Sequence, residues 1–168
     1  MLKNQKGVGL MEVLVALLVL AIAVLGFVAL QTRAISATNE AINNVDAINL
    51  ARDLAEKIRA NPSAYSEYIG NLSSASPSAT AATCVGIQAN CSNTGMADYD
   101  TADIVSFAKR NGMQVQIKSL TVAGTTQRNY LYVSWDKTNP TQGSSSTDCT
   151  KTDGTYTDGS QCIIMELY

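Results

Sequence analysis

The chain has 168 residues, with 12 basic against 14 acidic side chains and no histidine. That length suits one compact domain plus one long helix. The missing histidine removes the commonest general base and metal ligand, and the interspersed lysines and arginines lack the basic stripe of a direct nucleic-acid binder.

The first element is an apolar run from Val8 to Leu30, 23 residues long, with Lys3 and Lys6 before it. At about 1.5 Å per residue it matches a bilayer core of about 30 Å. The flanking lysines place the N-terminus on the cytoplasmic side, so that the rest of the chain is exported. Glu12 is the only charge inside the run. An acid at membrane depth costs about 2.5–3.5 kcal/mol, so such a residue generally has a partner and a function.

Past Leu30 the pattern changes without a break. No proline occurs between Val8 and Arg59, and the only glycines are Gly9 and Gly26. Ile35, Ile42, Val45, Ile48, Leu54 and Ile58 recur at helical spacing, with Asn39, Glu40, Asn43, Asn44, Asn49 and Arg52 between them. The spacing predicts one continuous helix, apolar all round in its first half and amphipathic in its second. A head domain is expected to pack on it from about Ile35. Asn61-Pro62 ends the helix, because the residue before proline avoids helical angles.

Residues 63–97 read as a long Ser-, Ala-, Thr- and Asn-rich loop. A short helix follows, capped by Asp98 or Thr101, with Ile104, Phe107 and Ala108 on its apolar face, Lys109 and Arg110 near its end and Gly112 just past it. Three strands come next: one around Val115, Ile117 and Ser119, one from Asn129 to Trp135, and one from Cys162 to Leu167. Residues 124–128 are expected to make the hairpin turn and 137–161 a long polar loop. The order implies an α+β fold with an antiparallel meander.

Four cysteines, Cys84, Cys91, Cys149 and Cys162, lie in the exported part. An even number in an oxidising compartment predicts two disulfides. Of three connectivities, the local pairs Cys84–Cys91 and Cys149–Cys162 are favoured by the turn-rich sequence around them. The spacings are not those of a zinc site. Asp148, Asp153 and Asp158 lie in a Gly- and Thr-rich loop, but without the spacing of a calcium loop; Asp-Gly is ordinary turn chemistry. No P-loop and no framework for a nucleophile is present. No enzyme activity, cofactor or metal is expected. Tyr130, Tyr132 and Tyr156 are expected to cover a sheet face.

Three readings compete for the N-terminus. A secretory signal peptide fits poorly, because the apolar stretch is long, carries an acid and lacks a small-x-small site. A plain anchor leaves Glu12 unexplained. The third is carried by a joint pattern: Lys3 and Lys6, then Gly7, four uncharged residues, Glu12, and about 18 apolar residues. This resembles the class III signal of the type IV pilin-like superfamily. Val8 stands where Phe is usual and Gly9 where Thr or Ser is frequent. The resemblance implies cleavage between Gly7 and Val8 by a prepilin peptidase, which also N-methylates the new amine of Val8. It implies that Glu12 pairs with that ammonium, its own or a neighbour's, and so serves assembly. The physical warrant is that a buried carboxylate without a partner is strongly unfavourable.

The stretch from Leu10 to Ile22 is similar to the PilV group of minor pilins, which is related to the GspI minor pseudopilins of type II secretion. Asp-Tyr-Asp at 98–100, Val-Ser-Trp at 133–135 and the two late cysteines fit that group. The resemblance implies an organisation of leader 1–7, membrane and filament-core helix 8–30, amphipathic helix 31–60 and α+β head 61–168. The implied partners are other minor pilins, the major pilin, the inner-membrane assembly platform and a large tip adhesin. The implied location is the inner membrane with a periplasmic head, and then the pilus. Priming of pilus assembly within a tip complex is the implied role, with adhesion, twitching motility or DNA uptake following from it. The length beyond residue 137 and the late cysteines argue for the pilus version over the secretion pseudopilin.

Overall fold

A computed structural model of the chain describes residues 9–74, 77, 84–86, 89–122 and 126–167. The chain divides into two compact units after Ile42, and helix α1, Leu10–Ala60, contributes to both. In the first unit every described residue is exposed. The absence of proline and the regular apolar spacing sustain the 51-residue helix,. Gly7, Val8 and the expected leader lie outside the described residues.

In the second unit α1 buries Ala47, Leu50, Ala51, Leu54 and Ile58. These fall at spacings of three and four, so they form one stripe. The expectation that packing starts near Ile35 is corrected: Ile35, Ile42 and Val45 are exposed. Small Ala47 and Ala51 flank Leu50 and Leu54, allowing close approach, and the stripe proper begins only there.

The segment 63–97 is not a plain loop. Asn61-Pro62 does end α1, but Pro62 sits in the first turn of a 3-10 helix, Pro62–Ala64, where its fixed φ is suited and its missing N–H costs nothing,. Helix α2, Tyr65–Asn71, continues from it. Ala64, Tyr68 and Leu72, four residues apart, are all buried. Helix α3 spans Asn93–Arg110, and its cap is Ser92, whose Oγ accepts from the Gly95 N–H at 3.1 Å. Asp98 and Thr101, the expected caps, lie within the helix because helical geometry starts at Asn93. Gly112 follows the helix with φ +68°, which suits a residue without Cβ,.

Strands β1 (Met113–Val122), β2 (Thr126–Trp135) and β5 (Cys162–Leu167) form an antiparallel sheet in the order β1-β2-β5. Val115 pairs with Val133 and Val133 with Ile163; Ile117 pairs with Leu131 and Leu131 with Met165. The expected turn 124–128 overlaps β2, since residues 126–128 already pair with 120–122. The 137–161 segment, expected as a loop, holds strands β3 (Asn139–Gly143) and β4 (Asp148–Lys151), which pair in parallel. They form a ribbon whose turn is closed by Asp148: one carboxylate oxygen accepts from the Thr141 hydroxyl, the other from the Ser145 N–H.

β2 is buried on both faces from Leu131 to Trp135. Leu131, Val133 and Trp135 belong to the apolar core with residues of α1, α2 and α3. Tyr132 and Ser134 point to the opposite face, where the ribbon lies: the Tyr132 hydroxyl shares a hydrogen bond with Thr150 at 3.4 Å.

Candidate assembly site

Glu12 sits in the first turn of α1, and its N–H donates to the Gly9 carbonyl at 2.8 Å. A carboxylate there is favoured by the unpaired N–H groups of the helix start. No hydrogen bond or ion pair to its carboxylate is present among the described residues, and the side chain is exposed. Around it Leu10 is 84% exposed, Leu14 53% and Leu17 61%, and the exposure continues through Leu30. Apolar surface on that scale is not left in water by a folded chain. α1 is long and apolar enough to cross a membrane, with a mean hydropathy of 3.2 in its most apolar window. At the end of this stretch Thr32 and Thr38 donate their hydroxyls to Val28 and Ala34 carbonyls of their own helix, so they present less polarity to a lipid or helix neighbour. The arrangement offers one acceptor for a cation within an apolar surface. Among the described residues it contains no acid–base pair.

In the second unit polar residues fasten the helices together. Tyr68 donates to Asp100 Oδ2 at 2.6 Å and Asn71 Nδ2 to Asp98 Oδ1 at 2.7 Å. The Asp-Tyr-Asp triplet is thus a pair of acceptors for α2, a role its sequence alone does not reveal. Asn61 Nδ2 donates to the Asn93 carbonyl, and Asn93 Nδ2 to Ser63 Oγ, closing the same seam at the start of α3. Lys57 bridges to Asp103 at 2.8 Å and to Asp53 at 3.4 Å. Burial opposes the charge on Lys57, but the Asp103 hydrogen bond and the nearby carboxylates outweigh it and raise its pKa.

Cys84 is bonded to Cys91 and Cys149 to Cys162. Cys149 is fully buried. The three loop aspartates are not gathered: Asp148 closes the ribbon turn, Asp153 accepts from the Thr155 N–H and hydroxyl, and Asp158 faces Lys151 at 3.5 Å. Those Thr155 hydrogen bonds hold the Asp153 carboxyl below its ordinary value. Among the described residues no group of three or more metal-ligating side chains comes together. Tyr132 is buried, Tyr130 half-buried and Tyr156 exposed, so only the first two cover the sheet. An open groove between the end of α1 and the end of the sheet is lined by Ile58, Arg59, Tyr65, Asn129 and Glu166. Of its polar groups, Arg59 is engaged with Glu56, Arg128 with Glu166, and Asn129 with Tyr65.

Two family models match. Residues 2–28 match the prokaryotic N-terminal methylation motif, and residues 29–102 match the type IV pilin Tt1218 family. The first covers Glu12 and the apolar run as far as Val28; the second covers the rest of α1, α2 and the first part of α3. No curated protein and no solved structure matches the chain.

Proposed function

We propose that this chain belongs to the type IV pilin superfamily, as its two partial family matches support, and that it works as a minor pilin of the PilV type. The observation that carries the reading is Glu12, alone and without a partner among the described residues, on the exposed apolar first part of α1, which falls within the match to the N-terminal methylation motif. The precursor would be held in the inner membrane by residues 8–30. Prepilin peptidase would cut between Gly7 and Val8 and methylate the Val8 amine. Glu12 would then neutralise that amine, its own or a neighbour's, as helices leave lipid for a bundle. In an apolar bundle an unpaired carboxylate is strongly disfavoured, so the pairing selects register. The head, residues 61–168, would sit with other minor pilins in a complex that primes assembly and presents a tip adhesin. A structural role suits a chain whose polar groups fasten helices and turns.

The test is the intact mass and N-terminal sequence of the protein from its native membrane. A chain starting at methylated Val8, four protons lighter than the reduced form, supports processing and two disulfides. A chain starting at Met1 where the peptidase is active overturns the reading. Replacing Gly7 should block both processing and incorporation.

A further inference from the structure

Glycine follows an aspartate or asparagine at three places in the chain: Asn111-Gly112, Asp153-Gly154 and Asp158-Gly159. The last two lie in identical Thr-Asp-Gly triplets. A glycine has no Cβ to shield its N–H, and its backbone turns freely. Its nitrogen can therefore close a five-membered ring on the preceding side chain. Closure needs two unengaged groups, the glycine N–H as nucleophile and the side-chain carboxyl or amide carbon as electrophile.

At Asn111-Gly112 both are held. Asn111 Nδ2 donates to the Phe107 carbonyl at 2.9 Å, and the Gly112 N–H donates to the Lys109 carbonyl at 3.2 Å. The end of α3 thus fixes side chain and nucleophile together. At Asp153-Gly154 both are held again. The Gly154 N–H donates to the Lys151 carbonyl at 2.9 Å, and Asp153 Oδ1 accepts from the Thr155 hydroxyl at 2.7 Å and the Thr155 N–H at 2.9 Å. These Thr155 bonds also favour the ionised carboxyl, and a carboxylate is a poorer electrophile than the neutral acid. Ring closure at either site must first break hydrogen bonds.

Asp158-Gly159 differs. The Asp158 side chain is wholly exposed and faces Lys151 Nζ at 3.5 Å, an ion pair of the kind that holds a side chain weakly. The Gly159 N–H has no partner among the described residues. Gly159 sits at φ +76°, with nothing within 4 Å of the position a Cβ would take. The turn around it is closed by the Ser160 N–H on the Thr157 carbonyl at 2.9 Å, a bond that uses neither reacting group.

We infer that Asp158-Gly159 is a site of self-driven isoaspartate formation, which the fold selects over the other two pairs. The Gly159 nitrogen attacks Asp158 Cγ. A C–N bond forms, and the N–H proton leaves with the carboxyl hydroxyl as water, giving a succinimide. Water then adds back. Addition at Cγ restores aspartate, whereas addition at the main-chain carbonyl of Asp158 routes the chain through Cβ and gives isoaspartate. No oxidant or enzyme is required, and mass and net charge are unchanged. The longer backbone path disrupts the Thr157–Ser160 turn and moves the carboxylate away from Lys151. The chemistry is independent of what the helix assembles with.

The test is prolonged incubation of the full chain in detergent micelles at neutral pH, followed by digestion. Isoaspartate is located by electron-transfer fragmentation and counted by isoaspartyl methyltransferase labelling. In the folded chain it should form at 158 at least about fivefold faster than at 153 or 111, the factor that one hydrogen bond of ordinary net worth imposes. In urea, sites 153 and 158 should agree within about twofold and Asn111 should lead, because an amide expels ammonia more readily than a carboxyl expels water. Equal rates at 153 and 158 in the folded chain would overturn the inference. So would Asn111 leading there, or a folded chain that forms no isoaspartate at 158 while the unfolded chain does.

Discussion

Tyr68 on α2 donates its hydroxyl hydrogen to Asp100 on α3 at 2.6 Å, with Tyr68 wholly buried and Asp100 nearly so. The pair joins two helices that the sequence separates by a long stretch of small polar residues. Tyr68→Phe leaves the Asp100 carboxylate buried without its donor, and the expected loss is about 1–3 kcal/mol in urea denaturation of the full chain. An unchanged midpoint would show that Asp100 finds another partner.

The same pair sets a pH dependence. Burial first, then the Asp100 hydrogen bond, pushes Tyr68 up to about 12. A folded-state value above the unfolded one of about 10 means the folded chain holds a proton that the unfolded chain releases. The contribution is full below about pH 10 and is lost as pH rises toward about 12. The stability gap between wild type and Tyr68→Phe should narrow across that window. A gap independent of pH would place the effect in packing alone.

Leu54 is fully buried whereas Ile42 is 52% exposed, although both fit the same helical pattern. Leu54→Ala should cost about 2–5 kcal/mol in the melting of the head, through lost burial and a cavity. Ile42→Ala should stay within about 0.5 kcal/mol. Equal losses would mean that packing begins at Ile42, five residues before Ala47.

Ser92 caps α3, and Ser92→Ala should cost about 1 kcal/mol. The readout is faster amide exchange at Gly95, the residue whose N–H the cap holds. Unchanged exchange there would reassign the start of α3.

Lys57 bridges two carboxylates, but Asp103 is half-exposed. Asp103→Asn should therefore cost less than about 1 kcal/mol, and the difference should shrink as salt is raised. A larger, salt-insensitive loss would make the bridge part of the core.

For the helix, Glu12→Val should leave the amount in the membrane and the melting of the head unchanged while excluding the protein from filaments. Normal incorporation of that variant would remove Glu12 from assembly.

Properties carried by neighbours along the chain are readable without coordinates. The length of α1 follows from unbroken helical spacing, its end from Asn61-Pro62, the loneliness of Glu12 from the apolar run, and the alternation of β2 from Leu131, Val133 and Trp135. Glycine at 112 likewise marks the end of α3 because its requirement is a local backbone angle. The tertiary structure alone decided where burial begins along α1, since Ile42 and Leu54 differ only in what packs against them. It decided that Asp98 and Asp100 are acceptors for α2, and that a polar stretch at 137–161 forms a ribbon over the second face of β2. Those outcomes depend on segments distant in sequence meeting at side-chain distance, and no local pattern specifies which ones meet.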